Sequence, residues 1–181
     1  MKSPSIYTSQ REKRLWIWVV VVFVAIYSGL FLGQPLAKLF SNQQIGIFIF
    51  IAGMALVGAT IILHAFRTRP GKTELTVLLG IIAVYVLFFL RLGLPERSHL
   101  MEYSVLAIFV HKAITERANN GKRIPNPAIV AFLITLLIGV VDECIQLVLP
   151  YRVFDMLDIV FNGIAIAMAI GSAILLSRVR K

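Results

Sequence analysis

Three short sets of polar residues interrupt the apolar runs of the C-terminal half, and their side chains are of the kinds that bind ligands or move protons. His99, Glu102 and Tyr103 stand at i, i+3 and i+4, so a helix puts them on one face. Asp142, Glu143 and Gln146 form a second patch, with Gln146 one helical turn after both acids. Asp155, Asp158 and Asn162 make a third stripe at i, i+3 and i+7, and Arg152 precedes it in a turn after Pro150. Histidine and carboxylates can serve as general acids and bases. Carboxylate oxygens can hold a divalent cation, and arginine matches phosphate oxygens two at a time.

The surroundings make these residues costly. A carboxylate in a membrane helix costs roughly 2.5–3.5 kcal/mol on insertion scales. Yet six of the nine carboxylates (Glu96, Glu102, Asp142, Glu143, Asp155 and Asp158) crowd the ends of three hydrophobic segments. Structural roles exist for some of the polar set. Asp155 and Asp158 suit a helix start, Asn162 and Gln146 suit interhelical hydrogen bonds, and Arg91 and Arg97 suit interfacial anchoring. Two adjacent acids with a glutamine exceed what helix packing requires. Lipid rejects each stripe, so the economical arrangement is one shared pocket facing the bundle interior.

The elements that must position them are transmembrane helices. The chain has 181 residues, 59% hydrophobic and 15% charged, too apolar for a soluble domain of this size. Backbone groups in lipid must be satisfied within each segment, which points to an all-α polytopic bundle. Six spans are expected, at about 15–33, 45–66, 74–92, 98–115, 128–149 and 156–176. Breakers separate them: Gly33 to Pro35, Pro70 with Gly71, Pro95, Asn119 to Pro127, and Pro150. Residues 1–181 form a single transmembrane domain, with a three-helix part over 15–95 and a core over 96–176. The apolar run after Arg14 is too long for a signal-peptide core, so it is expected to stay as the first span.

The net charge of +9 is spread in clusters between the apolar runs, a topology signal rather than a nucleic-acid surface. One side holds Lys2, Arg11, Lys13, Arg14, Arg67, Arg69, Lys72, Lys112, Arg117, Lys122, Arg123, Arg178, Arg180 and Lys181. The other holds Lys38, Arg91, Arg97 and Arg152. The positive-inside rule then puts both termini in the cytoplasm and the polar stripes on the outer half. The lone Cys144 lies in an apolar segment as a small hydrophobic residue. Gly163, Ala167 and Gly171, and beside them Ala165, Ala169 and Ala173, form small-residue stripes suited to close helix packing.

At the polar stripes the chain resembles the VanZ-like family of small bacterial membrane proteins, from about Glu96 to Gly171. The matching pieces are His99 and Tyr103 in ERSHLMEY, Glu143 and Gln146 in DECIQ, Arg152 in LPYR, and Asp158, Asn162 and Gly163 in DIVFNG. Tyr151 stands where the family usually has glycine, and the glycine-rich continuation survives as Gly163 and Gly171. The family is named for a member associated with resistance to the glycopeptide antibiotic teicoplanin. The resemblance implies a multi-pass protein of the bacterial inner membrane with a cell-envelope role.

The function expected is binding of a lipid-associated or other envelope ligand in an outward-facing polar pocket. Its residues would be His99, Glu102, Tyr103, Asp142, Glu143, Gln146, Arg152, Asp158 and Asn162. Partners are membrane lipids, an isoprenoid-linked or other anionic envelope ligand, and further membrane subunits. The alternatives are an accessory subunit of a larger membrane complex and a membrane-embedded acid/base enzyme. No nucleophile motif, phosphate loop, cofactor motif or metal-ligand spacing occurs, so no cofactor or metal is expected. A proton relay lacks matching polar residues in the cytoplasmic half.

Overall fold

The computed structural model describes residues 6–40, 70–92, 94–150 and 153–180. Among these residues the chain is all-α, with α1 Gln10–Phe40, α2 Lys72–Arg91, α3 Leu94–Asn119, α4 Pro127–Gln146 and α5 Met156–Val179. Of these helices, α2, α4 and α5 are long and apolar enough to cross a membrane. The expected span at about 45–66 lies outside the described residues.

The helix at the centre is α3, which packs against α1, α4 and α5. Leu100, Tyr103, Leu106, Ala107, Val110 and Ile114 are buried on it, at the spacing of one helical face. The outer helices show the converse pattern. No residue of α2 is buried. On α4, Ile129, Leu133, Leu137 and Val141 form an exposed apolar stripe four residues apart. Lipid tails solvate such stripes as well as a protein core does, so packing must come from close approach and hydrogen bonds.

Both appear where α5 meets its neighbours. Ala165 and Ala169 are buried, and the Ser104 hydroxyl of α3 donates to the Ala165 carbonyl at 3.3 Å. Ala167 and Gly171, from the other small-residue stripe, are exposed, so only one of the two stripes makes this contact. On α4, Gly139 admits both neighbours at once. A Cβ there would lie 3.1 Å from Asn162 Nδ2 and 3.2 Å from Tyr103 Cε1.

Helix boundaries follow local chemistry, with three departures from expectation. Asn126 caps α4, its side chain accepting from the amides of Ala128 and Ile129, and Pro127 occupies the first turn where its missing N–H costs nothing. The helix α1 continues through Gly33, Gln34 and Pro35 to Phe40 rather than stopping at them. Pro95 sits inside the first turn of α3 rather than before it. Lastly, α4 ends at Gln146, closing in a turn in which Val148 N donates to Ile145 O and Leu149 N to Gln146 O. Asp142 therefore lies only about 6 Å from its helix end, half the depth that a helix reaching Pro150 would give.

At the opposite end from His99, α1 is clasped to α3. The Glu12 carboxylate is fully buried and accepts from Thr8 N at 2.7 Å, Thr8 Oγ1 at 2.6 Å and Trp16 Nε1 at 3.2 Å. Arg117 Nε lies 2.8 Å from Glu12 Oε1, and Arg117 Nη2 donates to the Ile6 carbonyl at 2.6 Å. Ser9 Oγ donates to Glu116 Oε1 at 2.9 Å. A second pair, Arg180 Nε to Glu74 Oε1 at 3.1 Å, joins the C-terminal end of α5 to the N-terminal end of α2.

Burial alone would raise the Glu12 pKa, but the Thr8 hydrogen bonds, Arg117 and Trp16 outweigh it and hold the carboxyl below 4.5. The charged form is thus favoured by folding, and its contribution is present above pH 4.5 and lost as pH falls through the lowered folded value. Tryptophan emission should shift on acidification with a midpoint below pH 4.5, and Glu12→Gln should abolish that transition. An unchanged acid transition in Glu12→Gln would assign it to other groups.

Candidate functional site

The three polar stripes meet where α3, α4 and α5 converge. Tyr103, Glu143 and Asn162 have no exposed surface, and Asp142, Gln146 and His99 keep only 2%, 4% and 7%. Asp158 is half-buried. The grouping follows from helical spacing. His99 and Tyr103 lie one turn apart on α3 with rings stacked at 6.0 Å and 8°. Asp158 and Asn162 lie one turn apart on α5.

The adjacent acids of α4 enter different networks. Asp142 Oδ2 accepts from the Tyr103 hydroxyl at 3.1 Å, tying α4 to α3. Glu143 Oε1 accepts from Gln146 Nε2 at 2.8 Å, and Oε2 from the Asp155 amide at 3.4 Å, tying α4 to the start of α5. His99 bridges to α5 through Nδ1, 3.1 Å from Asn162 Oδ1. Its other nitrogen, Nε2, lies 4.0 Å from Glu143 Oε1 and 3.7 Å from Asp158 Oδ2. The Asn162 Nδ2 atom is buried without a hydrogen-bond partner among the described residues.

Beside this cluster is a cavity of about 200 Å³ lined by Ile26, Gly29, Ser98, His99, Glu102, Asp142 and Gln146. Seven of the nine expected site residues are therefore drawn together: His99, Tyr103, Asp142, Glu143, Gln146, Asp158 and Asn162. Glu102 stands on the cavity wall rather than in the hydrogen-bonded cluster. Arg152 lies outside the described residues, as do the side chains of Glu96 and Arg97. Asp155 is exposed and caps α5, its carboxylate accepting from Leu157 N at 2.8 Å. Its structural role is thus filled, although its amide also holds Glu143. Arg91 is exposed at the end of α2.

Sequence reasoning missed several supports. The α1 wall, Ile26 with Gly29, carries no polar signal. Tyr27 donates to the Ile138 carbonyl at 3.5 Å, and the Tyr85 and Ser104 hydroxyls lie 3.4 Å apart. A tyrosine in an apolar run looks like an interfacial anchor until its partner is known. Gly139 was visible as an isolated glycine in a helical run, which commonly marks close approach.

These features define the class: a multi-pass helical membrane protein in which α3, α4 and α5 bring together a buried histidine–carboxylate–amide cluster. A family model, VanZ/LLP1, matches residues 14–177, and the chain belongs to that family. The match reaches well before Glu96, so the first helix is also part of the family's architecture. No curated protein and no solved structure matches the chain significantly.

Removing the Tyr103 hydroxyl strips Asp142 of a donor in a water-poor setting. Across Tyr103→Phe, Asp142→Asn and the double variant, thermal unfolding in detergent should give a coupling of about 1–3 kcal/mol. Additive effects would show that the 3.1 Å contact contributes nothing to stability.

Proposed function

We propose that this VanZ-family protein spans the inner membrane six times with cytoplasmic termini, and that its polar cluster lines an outward-facing pocket for the head group of a lipid-associated envelope ligand. The observation that carries this is the meeting of polar groups from three helices beside a cavity that Ser98, His99, Glu102, Asp142 and Gln146 line. Ionisable residues within membrane helices are rare and by default point to a ligand, ion or proton site. The orientation draws support from the clustering of Arg11, Arg117 and Arg180 at the helix ends opposite His99.

Size limits the ligand. A cavity of about 200 Å³ is smaller than the roughly 300–1,000 Å³ of pockets that enclose drug-sized molecules. It fits a phosphate- or sugar-sized head group, with the acyl or isoprenoid portion left in the bilayer. A whole glycopeptide antibiotic is larger than this cavity. Hydroxyl and amine groups of a head group suit Glu102 and Asp142. A phosphate needs a cation nearby, and Arg152, which falls between α4 and α5 in the sequence, is the residue assigned that role in this reading.

Orientation and ligand are tested separately. In a Cys144→Ser background, a membrane-impermeant maleimide applied to intact cells should label Val148→Cys, and should reach Asn120→Cys only after permeabilisation; the reverse pattern would turn the pocket toward the cytosol. Native mass spectrometry of the protein released from its own membrane should find one bound lipid species. Its retention should fall at least tenfold, about 1.4 kcal/mol, in Gln146→Ala and Arg152→Ala but not in the lipid-facing Leu137→Ala. Equal retention in all of them would remove the pocket as the binding site.

A further inference from the structure

We infer that His99, Glu143 and Asp158 together bind a single divalent cation of the zinc or manganese class. The site goes beyond the ligand pocket and does not depend on which head group that pocket takes. One donor comes from each of α3, α4 and α5, and the three donor atoms lie within 4.8 Å of one another.

The orientation of His99 carries the argument. With Asn162 Oδ1 as acceptor, His99 Nδ1 bears the ring proton, and Nε2 presents a lone pair. That lone pair faces Glu143 Oε1 and Asp158 Oδ2, so three acceptor atoms converge. In the other tautomer Nε2–H would point at the carboxylates, and a hydrogen bond would draw one of them to about 2.7–3.2 Å. The observed separations are 3.7 and 4.0 Å. A cation bound at about 2.0–2.2 Å holds neighbouring ligand atoms roughly 3.0–3.5 Å apart; the two His99 pairs, at 3.7 and 4.0 Å, reach this by closing about half an ångström, and the carboxylate pair starts within 4.8 Å.

The surrounding contacts fit the same assignment. Histidines that bind metals usually donate their second nitrogen to an oxygen acceptor that fixes ring and tautomer, as Asn162 does here. Glu143 is steadied from both sides by the Gln146 amide and the Asp155 backbone N–H. Among the described residues no lysine or arginine lies within ion-pair distance of Glu143, and a divalent ion here would balance its charge. Asp142 lies outside the converging set, and its Oδ2 accepts from Tyr103. One nitrogen and two carboxylate oxygens favour zinc or manganese over calcium, and three protein ligands leave coordination positions open.

Metal content of the intact protein decides the matter. Chelator-stripped protein in detergent, dialysed against micromolar Zn²⁺ or Mn²⁺, should take up about one equivalent by plasma mass spectrometry. His99→Ala, Glu143→Gln and Asp158→Asn should each weaken binding at least tenfold, Asn162→Ala by about 10–100-fold, and Glu102→Gln should retain it. Co²⁺ loaded into the wild-type chain should show visible absorption that His99→Ala loses. Wild-type protein that takes up neither Zn²⁺ nor Mn²⁺ overturns the inference whatever the variants do. Full uptake by a folded, monodisperse Glu143→Gln overturns it as well. Lipid retention is read independently, so loss of one result leaves the other standing.

Discussion

A carboxylate at membrane depth must find donors or a counter-charge within a few ångströms, because lipid offers neither. In this chain the helix that meets the demand is α3. It presents the Tyr103 hydroxyl to Asp142 and the His99 ring to Asn162, with Glu143 and Asp158 alongside. The rest of the bundle follows from that obligation. Helices bearing acids must turn them toward α3, and their opposite faces are then free to be wholly apolar.

This explains an inversion between composition and position. A soluble protein buries its apolar helices, whereas here the largely apolar α2 has no buried residue and the polar-studded α3 sits among α1, α4 and α5. Hydrocarbon replaces the protein core as the destination for leucine and valine, and the interior becomes the refuge for what lipid excludes. Small residues complete the arrangement. Gly139 brings α4 within reach of both Tyr103 and Asn162, and Ala165 lets the Ser104 hydroxyl reach a backbone carbonyl.

Much of this was legible in the sequence for one reason: polar residues in apolar runs are rare enough that helical spacing alone groups them. The i, i+3, i+4 relations placed His99 with Tyr103 and Gln146 with Glu143 on common faces, as the stacked rings and the 2.8 Å bond show. Spacing along one helix says nothing about rotation against its neighbour. It could not tell that Asp142 and Glu143 part company, one toward Tyr103 and the other toward His99 and Asp158. Nor could it separate Asp155, spent on capping, from Asp158, three residues on. The clasp around Glu12 was hidden for a different reason. Its partners Thr8, Trp16 and Arg117 are ordinary residues for a membrane interface, and only folding brings residue 117 to residue 12.

That clasp has a mechanical side. Arg117 and His99 stand eighteen residues apart on the single rod of α3, about 27 Å, close to the thickness of the hydrocarbon layer. A rod pinned at one end acts as a lever at the other. Tilting α3 by roughly 5° about its clasped end sweeps the imidazole sideways by about 2 Å, enough to part it from Asn162. The contacts that set the tilt of α3 thereby reach the geometry around His99 without touching it.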